Sequence, residues 1–257
     1  MTLLQQGKKD RLEVKRFASR AALGAEAAQD VAMYLRQRLS AQRLVRMVFA
    51  AAPSQNEFLA ALAAAPDIDW SRIHALHMDE YIGLDPAAPQ RFSQFLRQHL
   101  FDEVRPGEVH LIPSSGDPAA ICSAYSQQLN AAPIDVVCLG IGENGHLAFN
   151  DPPVADFSDP YSVKVVQLDD ACRQQQVNDG CFATFAAVPT HAVTLTIPAL
   201  MSGARLFCMV PGASKRAAVQ ATLNDAISTA CPATRLRQHP HCTLYTDSAA
   251  CPEVTFD

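Results

Sequence analysis

The stretch IDVVCLGIGENGHLAFNDPP, residues 134–153, decides the fold. Its apolar run, 136–141, has no polar face, which is typical of a parallel strand covered by helices on both sides. His146 and Asp151 follow the strand, and open α/β sheets bind ligands beyond the carboxyl ends of their strands. This order predicts an α/β protein with an active-site loop after its central strand.

The glycines of this loop predict a close approach to a ligand. Gly140, Gly142 and Gly145 let the backbone turn sharply and come near a small molecule. A histidine titrates near neutral pH, so His146 is a candidate acid or base, and Asp151 is placed to hold its ring. The alternative is a structural turn with a hydrogen-bonded histidine, because a single glycine-rich turn is a weak signal.

Helices and strands alternate along the rest of the chain. The patterns predict strands at 44–50, 73–77, 109–112, 192–197, 205–210 and 242–246, and helices at 19–43, 92–101, 118–129 and 215–223. We expect a further helix with Ser54 as its N-cap and Glu57 completing a capping box. The alternation implies a mostly parallel sheet covered by helices, within a single domain over 1–257. Three prolines in 151–161 leave open a small lid within 150–190.

Composition excludes several classes of protein. The 257 residues are 49% hydrophobic, enough for a substantial core, and the net charge of −5 offers no electrostatic footprint for nucleic acid. The basic residues between Lys8 and Arg16 predict a solvated helix face. No apolar run reaches the about 18 residues of a membrane span, and the first residues do not resemble a signal peptide. We therefore expect a cytoplasmic protein without a membrane partner.

The cysteines predict buried thiols. None of the 8 belongs to a Cys-x-x-Cys pair, and Cys138, Cys208 and Cys242 lie in apolar or strand-like runs. We expect reduced, buried side chains, and neither zinc ligation nor a disulfide framework.

A second group of polar residues, HMDEY at 77–81, also follows a buried strand. It should reach the same sheet edge as the loop after 141. A partly desolvated carboxylate there, such as Asp79, is suited to moving a proton on carbon next to a carbonyl. The alternative is that Asp79 caps a turn and Glu80 lies in solvent. A metal site of His74, His77 and Asp79 is not expected, because their spacing on a strand points them to both faces.

Four motifs in order resemble glucosamine-6-phosphate deaminases: HMDEYIGL at 77–84, LGIGENGHLAFNDP at 139–152, VPTHAVTLT at 188–196 and VPGASK at 210–215. The resemblance extends over roughly residues 30–248 and includes the 6-phosphogluconolactonases of the same superfamily. It implies a modified Rossmann fold, a three-layer sandwich with helices on both faces of a mostly parallel sheet. Tyr81 and the sequence Ala148-Phe149-Asn150 resemble the deaminase branch.

The resemblance also implies roles for individual residues. Asp79 would shuttle a proton between C2 and C1 of the open-chain amino sugar, and His146 would transfer a proton at the ring oxygen. Lys215 would hold the phosphate, whereas Glu80 and Tyr81 would orient the other groups. No metal or organic cofactor is implied.

Two positions beside the histidine depart from the family pattern. Deaminases usually have aspartate at the position of Asn144 and glutamate at that of Asp151. Asparagine can accept a hydrogen bond from His146 but cannot stabilise an imidazolium by charge, so we expect ring opening to be slower or differently tuned.

The phosphate-binding segments depart as well. The usual glycine- and threonine-rich turn is replaced by FAAAPSQ at 49–55, where Ser54 and the backbone N–H groups of the next helix could receive an anion. Arg173 is the candidate for an arginine that the family places nearer the 188–196 motif. Lys164 is the one remnant of the cluster that binds an activator in allosteric members, so we expect no such activation.

The function implied is that of an isomerising deaminase, a hydrolase of amino-sugar metabolism, acting on glucosamine 6-phosphate or a close epimer. A 6-phosphogluconolactonase, in which His146 activates water, is the alternative within the superfamily. A sensor that binds a sugar phosphate without turnover is the alternative from another class, motivated by Asn144 and the changed phosphate loop. The resemblance leaves the oligomeric state open between a monomer and a homo-oligomer.

Overall fold

The computed structural model of the protein describes residues 2–256. Its strands are β1 Leu3–Lys9, β2 Leu12–Phe17, β3 Val45–Phe49, β4 Ile73–His77, β5 Asp79–Tyr81, β6 Glu108–His110, β7 Val136–Leu139, β8 Val163–Gln167, β9 His191–Leu195, β10 Arg205–Val210 and β11 Cys242–Asp247. Its α-helices are α1 Arg20–Ala41, α2 Asn56–Ala63, α3 Phe92–Leu96, α4 Asp102–Val104, α5 Pro118–Asn130, α6 Asp170–Asn178, α7 Ile197–Met201 and α8 Arg216–Asn224. A π-helical turn, Arg97–Phe101, joins α3 to α4.

An 8-stranded sheet forms the middle layer, in the order β1-β2-β11-β10-β7-β3-β4-β6. All neighbours are parallel except β1 and β2, which form an antiparallel hairpin. The strand of the deciding stretch, β7, lies between β10 and β3, and it ends at Leu139, where the glycines begin. Because its neighbours on both sides are strands, its polar loop lies at the middle of the sheet's carboxyl edge.

Helices cover both faces of this sheet. Met47 and Phe49 of β3 pack into one core with α1 and α2, whereas Val48 between them packs into the other core with α5 and α8. This alternation is the side-chain period of a strand. The expected α/β fold, a mostly parallel Rossmann-like sheet between two helical layers, is confirmed.

A second, smaller sheet was not expected. It has 3 antiparallel strands in the order β5-β9-β8. The predicted strand at 192–197 exists as β9, but it belongs to this sheet and not to the parallel one. A short apolar run does not reveal its partner, so its composition fits either sheet.

Two local predictions were wrong. Ser54 does not cap a helix: Pro53–Gln55 forms a 3₁₀ turn, α2 begins at Asn56, and no side chain caps either. Glu57, expected in the capping box, instead accepts a hydrogen bond from Arg20 at 2.9 Å. Proline at the first position started a tighter turn ahead of the helix and moved the start of the helix beyond serine.

The basic N-terminal residues lie on the β1–β2 hairpin and not on a helix face. Leu12, Val14 and Phe17 of β2 are buried, and the basic residues between and around them point away from the core. Lys15 reaches α1, where its ammonium lies 2.6 Å from Asp30. So short a strand has room for only two alternations between apolar and polar residues. The pattern of β2 was therefore hidden by the run of basic residues around it.

The remaining sequence expectations concern cysteines and membranes. Cys138, Cys208 and Cys242 are buried as predicted, and all 8 cysteines are free thiols. Within residues 2–256, no helix is both long and apolar enough to cross a bilayer. The segment 150–190, in which a lid was considered, contains β8 and α6.

One buried carboxylate joins the amino ends of two central strands to α1. Asp135, just before β7, accepts hydrogen bonds from Arg38 at 2.6 Å, from Gln42 at 2.9 Å and from the backbone N–H of Arg46 at 2.8 Å. These bonds fix the end of α1 against β3 and β7. They also pair a charge that would be costly to bury alone.

Replacing this carboxylate should therefore be expensive. We expect Asp135→Ala to lower the free energy of unfolding by about 2–4 kcal/mol, because it leaves three donors without their acceptor. Asp117→Ala, which removes the exposed N-cap of α5, should cost about 1 kcal/mol and is the matched control. Urea unfolding measures both, and equal losses would contradict the structural role of Asp135.

Candidate active site

A pocket lies at the carboxyl edge of the parallel sheet, where the loops after β3, β4, β7 and β10 meet. Its cavity volume is about 60 Å³, and its mouth is open to solvent. Its polar lining comes from Ser54, Gln55, Asp79, His146, Gln175, Gln176 and Lys215. Four of the residues expected from the sequence thus come together here: Ser54, Asp79, His146 and Lys215.

Asp79 is a buried carboxylate at the pocket wall. A single residue, Met78, separates its strand, β5, from β4. β5 pairs with β9, so that Asp79 lies opposite Thr194. The side chain is 7% exposed, and among residues 2–256 none donates a hydrogen bond to it. Burial, together with the negative charge of Glu80, raises the pKa of Asp79 well above its ordinary value. A carboxylate of this kind is a stronger base than an exposed one and takes up a proton more readily.

Glu80 points away from the pocket and organises the structure behind it. Its carboxylate accepts backbone hydrogen bonds from Tyr81 and Phe92 at 3.1 Å and from Ser93 at 3.0 Å, and Arg91 lies 3.4 Å away. Burial still raises the pKa of Glu80, with these partners acting in the opposite direction. The alternative that Glu80 lies in solvent is wrong. It fixes β5 to the start of α3.

Tyr81 also lies behind the pocket. Its ring packs against Phe92, Phe149 and Phe182, with centroids 4.8–5.4 Å apart. Its hydroxyl is buried without a hydrogen-bond partner among the described residues. Burial raises the pKa of Tyr81 well above its ordinary value, so the phenol is neutral. Neither Glu80 nor Tyr81 lines the pocket.

His77 is the structural histidine of the first motif. It is fully buried, and its Nε2 accepts a hydrogen bond from the backbone N–H of Ile112 at 2.8 Å. Burial, with the positive charge of Arg91, lowers the pKa of His77 to about 3. The neutral ring therefore fastens β4 to the segment after β6.

The glycines before His146 are required by its ring. A Cβ on Gly142 would lie 2.1 Å from the imidazole, so the ring occupies the place of a side chain. Gly145 has a φ of +84°, a left-handed conformation that favours glycine. It packs against Cys231, and it does not line the pocket. The loop closes through a hydrogen bond from the Gly142 N–H to the His146 carbonyl at 2.9 Å.

Two acceptors lie at the inner nitrogen of His146. Its Nδ1 is 2.8 Å from Oδ1 of Asn144 and 3.0 Å from Oδ1 of Asp151. Since both atoms are acceptors, Nδ1 carries the proton and Nε2 has the free lone pair. The Asn144 amide completes a triangle by donating to Asp151 at 3.0 Å.

Asp151 is held as a carboxylate at the back of this triangle. Burial acts to raise its pKa, but hydrogen bonds from His146, Asn144 and the Asp169 N–H outweigh burial and lower the pKa of Asp151. Ligand atoms of His146, Asp151 and Cys172 lie within 4.8 Å of one another, which is close enough for a metal ion. Burial and the charge of Asp151 raise the pKa of the Cys172 thiol, however, so it is protonated and a poor ligand.

Lys215 and Ser54 form the end of the pocket suited to an anion. Lys215 lies on a 3₁₀ turn after β10, is 5% exposed, and makes no ion pair with a described residue. Burial lowers its pKa, which the carboxylates of Asp179 and Glu143 partly offset. The Ser54 hydroxyl and the Gln55 amide, 3.1 Å apart, supply further polar groups. A buried ammonium without a partner favours an anionic ligand.

Sequence reasoning missed the residues that hold the loops in place. The Thr194 hydroxyl accepts a hydrogen bond from the Phe149 N–H at 3.1 Å, and the Leu195 carbonyl accepts one from Asn150 at 2.8 Å. Gln175 of α6 lines the pocket and accepts from the Glu143 N–H at 2.8 Å. Thr194 could have been found from its place in the 188–196 motif. Nothing in the sequence pattern of α6 distinguished Gln175 from the other polar residues of that helix.

The structure places Arg173 outside the pocket. Its guanidinium donates to the carbonyls of Phe185 and Val188 at 3.1 and 3.0 Å and lies over the Phe185 ring at 4.0 Å. It stabilises the loop after α6 and does not line the pocket. Lys164 is likewise occupied, at 2.7 Å from both Asp159 and the Val154 carbonyl.

Comparisons with known proteins agree with this geometry. The sequence profile of the family described as glucosamine-6-phosphate isomerases/6-phosphogluconolactonase matches residues 18–245. Glucosamine-6-phosphate deaminase 1 of Giardia intestinalis is 36% identical over 200 residues, which are 75% of this chain and 72% of the relative. A monomeric glucosamine-6-phosphate deaminase of known structure superposes with a TM-score of 0.84 at 25% identity, over 92% of this chain and 98% of its own. A 6-phosphogluconolactonase from Thermotoga maritima, at 18% identity, shares the fold, with a TM-score of 0.75 over 91% of this chain and 98% of its own.

The raised pKa of Asp79 leads to a testable dependence of stability on pH. Because its folded pKa lies above its unfolded pKa, its contribution to stability is complete below the unfolded pKa and is lost as the pH rises through the folded pKa. We therefore expect Asp79→Asn to be more resistant to urea than the parent protein at pH 8, with a difference that shrinks toward pH 4. The exposed Asp225→Asn is the control for loss of one negative charge. A difference that grows toward acid pH would refute the burial argument.

Proposed function

Because the chain belongs to the family of glucosamine-6-phosphate isomerases and 6-phosphogluconolactonases, we propose that it converts an amino-sugar phosphate, glucosamine 6-phosphate first among them, to fructose 6-phosphate and ammonia. The observation that carries this proposal is that a buried, unpaired Asp79 carboxylate lines one pocket together with His146 and an unpaired Lys215. These are a base for a carbon acid, a base for a hydroxyl and a cation for a phosphate.

Binding begins with the phosphate in this proposal. Lys215 and the Ser54 hydroxyl receive the dianion at one end of the pocket, which places the sugar ring toward Asp79 and His146. A buried ammonium gains more from an anion than an exposed one does, because little water screens the pair. Arg173 takes no part.

Ring opening is assigned to His146. Its free Nε2 takes the proton of the C1 hydroxyl and returns a proton to the ring oxygen, so that the C1–O5 bond breaks and the aldehyde forms. The imidazolium formed in between is stabilised by the Asp151 carboxylate at 3.0 Å from Nδ1. Asn144 orients the ring without adding a charge.

Asp79 then moves the proton that isomerises the sugar. Its carboxylate removes the proton from C2, the C2–H electron pair forms the C1–C2 double bond, and the carbonyl electron pair moves to O1. O1 takes a proton from the substrate's own C2 ammonium, so that a neutral enolamine forms. Asp79 then returns its proton to C1, which leaves a protonated imine at C2. The imine left at C2 is hydrolysed by water to the ketone, and ammonia departs. A pKa raised by burial makes Asp79 a stronger base and brings it nearer the working pH, where acid–base catalysis is most efficient. Asp79 and His146 thus supply the proton transfers at carbon and at the ring oxygen.

The two alternatives require less of the site. A lactonase needs a base for water, which His146 supplies, but it has no proton to move between carbons. A sensor needs the phosphate end but gains nothing from burying a carboxylate without donors, which costs stability. Asp79 therefore favours the deaminase. A cytoplasmic location belongs to the same proposal, since free thiols persist in reducing compartments.

The first test is ammonia release by the purified protein. We expect release from glucosamine 6-phosphate or galactosamine 6-phosphate and none from unphosphorylated glucosamine, with hydrolysis of 6-phosphogluconolactone run beside them. Lactone hydrolysis without ammonia would replace the proposal with the lactonase. If folded protein acts on none of the four compounds, the remaining hypotheses are a sensor and an enzyme for another sugar.

Replacing the carbon base separates catalysis from binding. We expect Asp79→Asn to lower kcat by about 10²–10⁴-fold, the usual contribution of a general base, while calorimetry detects sugar-phosphate binding of similar affinity. Retained turnover in this variant would refute the assigned role of Asp79. Asp225→Asn, with the same change at an exposed site, should retain full activity.

Replacing the pocket cation tests the phosphate end. We expect Lys215→Gln to raise KM for the phosphorylated substrate at least tenfold, the value of about one charge-assisted hydrogen bond, and to abolish inhibition by inorganic phosphate. Lys164→Gln is the matched control, because Lys164 is a partly buried lysine outside the pocket. Equal effects of the two changes would mean that Lys215 does not hold the phosphate.

A further inference from the structure

Two histidines and a glutamate meet at the far edge of the parallel sheet, away from the pocket. His74 of β4 lies in register with Glu108 of β6, and His110 follows two residues later, on the same side of β6 as Glu108. The side chains of His74 and His110 are 21% and 23% exposed, and that of Glu108 is 55% exposed. An ion in solution can therefore reach all three.

The distances between their donor atoms match a tetrahedral metal centre. The Glu108 carboxylate oxygen lies 3.4 Å from Nδ1 of His74 and 3.1 Å from Nε2 of His110. One ligand atom from each of the three residues lies within 4.8 Å of the others. In a zinc tetrahedron with bonds of about 2.0–2.1 Å, ligand atoms are about 3.3 Å apart. The two contacts of Glu108 already have about this spacing, and the ligand atoms of the two histidines lie within 4.8 Å of each other.

We propose that His74, Glu108 and His110 bind a divalent transition-metal ion, with water in the remaining position. Two imidazoles and a carboxylate are ligands that suit Zn²⁺, Ni²⁺ and Cu²⁺, whereas Mg²⁺ and Ca²⁺ prefer oxygen alone. The site is separate from the pocket and does not depend on the function proposed for it.

The surroundings favour binding of moderate strength. Arg46 of β3 lies in register with His74, and its positive charge opposes a cation there. Its guanidinium is occupied by backbone carbonyls, including that of Leu129 at 3.0 Å, and so does not block the ligands.

A bound ion would join an edge strand to its neighbour. β6 has 3 residues and pairs only with β4, which runs directly into Asp79. Coordination from both strands would add a link that the short ladder of hydrogen bonds lacks. We therefore expect the metal to raise the thermal midpoint of the folded protein.

Calorimetry with Zn²⁺ on the purified, metal-stripped chain tests the proposal. We expect one equivalent to bind, and His74→Gln and His110→Gln each to weaken it at least tenfold. His99→Gln removes a partly exposed histidine from the helical segment 92–104 and should leave binding unchanged. Co²⁺ added to the parent protein should give the absorption of a low-symmetry site, and lose it in the same two variants.

The variant His146→Gln excludes the pocket as the source of the signal. Zn²⁺ binding retained in this protein supports the edge site, whereas loss there, or full binding in His74→Gln and His110→Gln, would overturn it. Absence of binding to the parent protein would overturn it as well. Ammonia release, measured on His74→Gln, reports on the pocket independently, so failure of either proposal can be told from failure of the other.

Discussion

The pairing of β5 with β9 is the constraint on which the site depends. Asp79 follows β4, and the His146 loop follows β7, so the parallel sheet alone only brings them to a common edge. Thr194 fixes them to each other: its backbone lies opposite Asp79, and its hydroxyl accepts the Phe149 N–H at 3.1 Å. Two segments distant in sequence are thus held by the same strand, β9, which fixes their relative position.

The buried charges of this region divide into two kinds. Glu80 and Asp151 each have several hydrogen-bond donors, so the cost of burying them is offset within the fold. Asp79 and Lys215 have no such compensation from the described residues and are buried facing the pocket. A fold retains uncompensated charges only where something else benefits from them. In the proposed function the substrate is the partner that both lack, so the energetic cost of burial falls on the carbon base and on the phosphate end of the site.

Sequence predicts the parts of this structure that depend on local pattern. The apolar run before Gly140 implied a central parallel strand, and the polar residues after two such strands implied a shared edge. What it missed depends on contacts between distant segments: the β1–β2 hairpin, the second sheet and the anchoring role of Thr194. The placement of Arg173 outside the pocket has a related reason. Its position in the sequence was visible, whereas the direction of its guanidinium is decided by the carbonyls of the next loop.

Asn144 and Asp151, the two departures from the family pattern, are consistent with each other. With Asn144, the amide donates to Asp151 at 3.0 Å while its oxygen accepts from His146, so all three side chains are satisfied by one negative charge. A second carboxylate at position 144 would face that of Asp151 at this distance, and the two could not both remain ionised without a shared proton. The short Asp151 reaches the imidazole directly, at 3.0 Å. In the proposed function, Asp151 therefore supplies the one negative charge that contacts His146, and Asn144 contributes hydrogen bonds without a second charge.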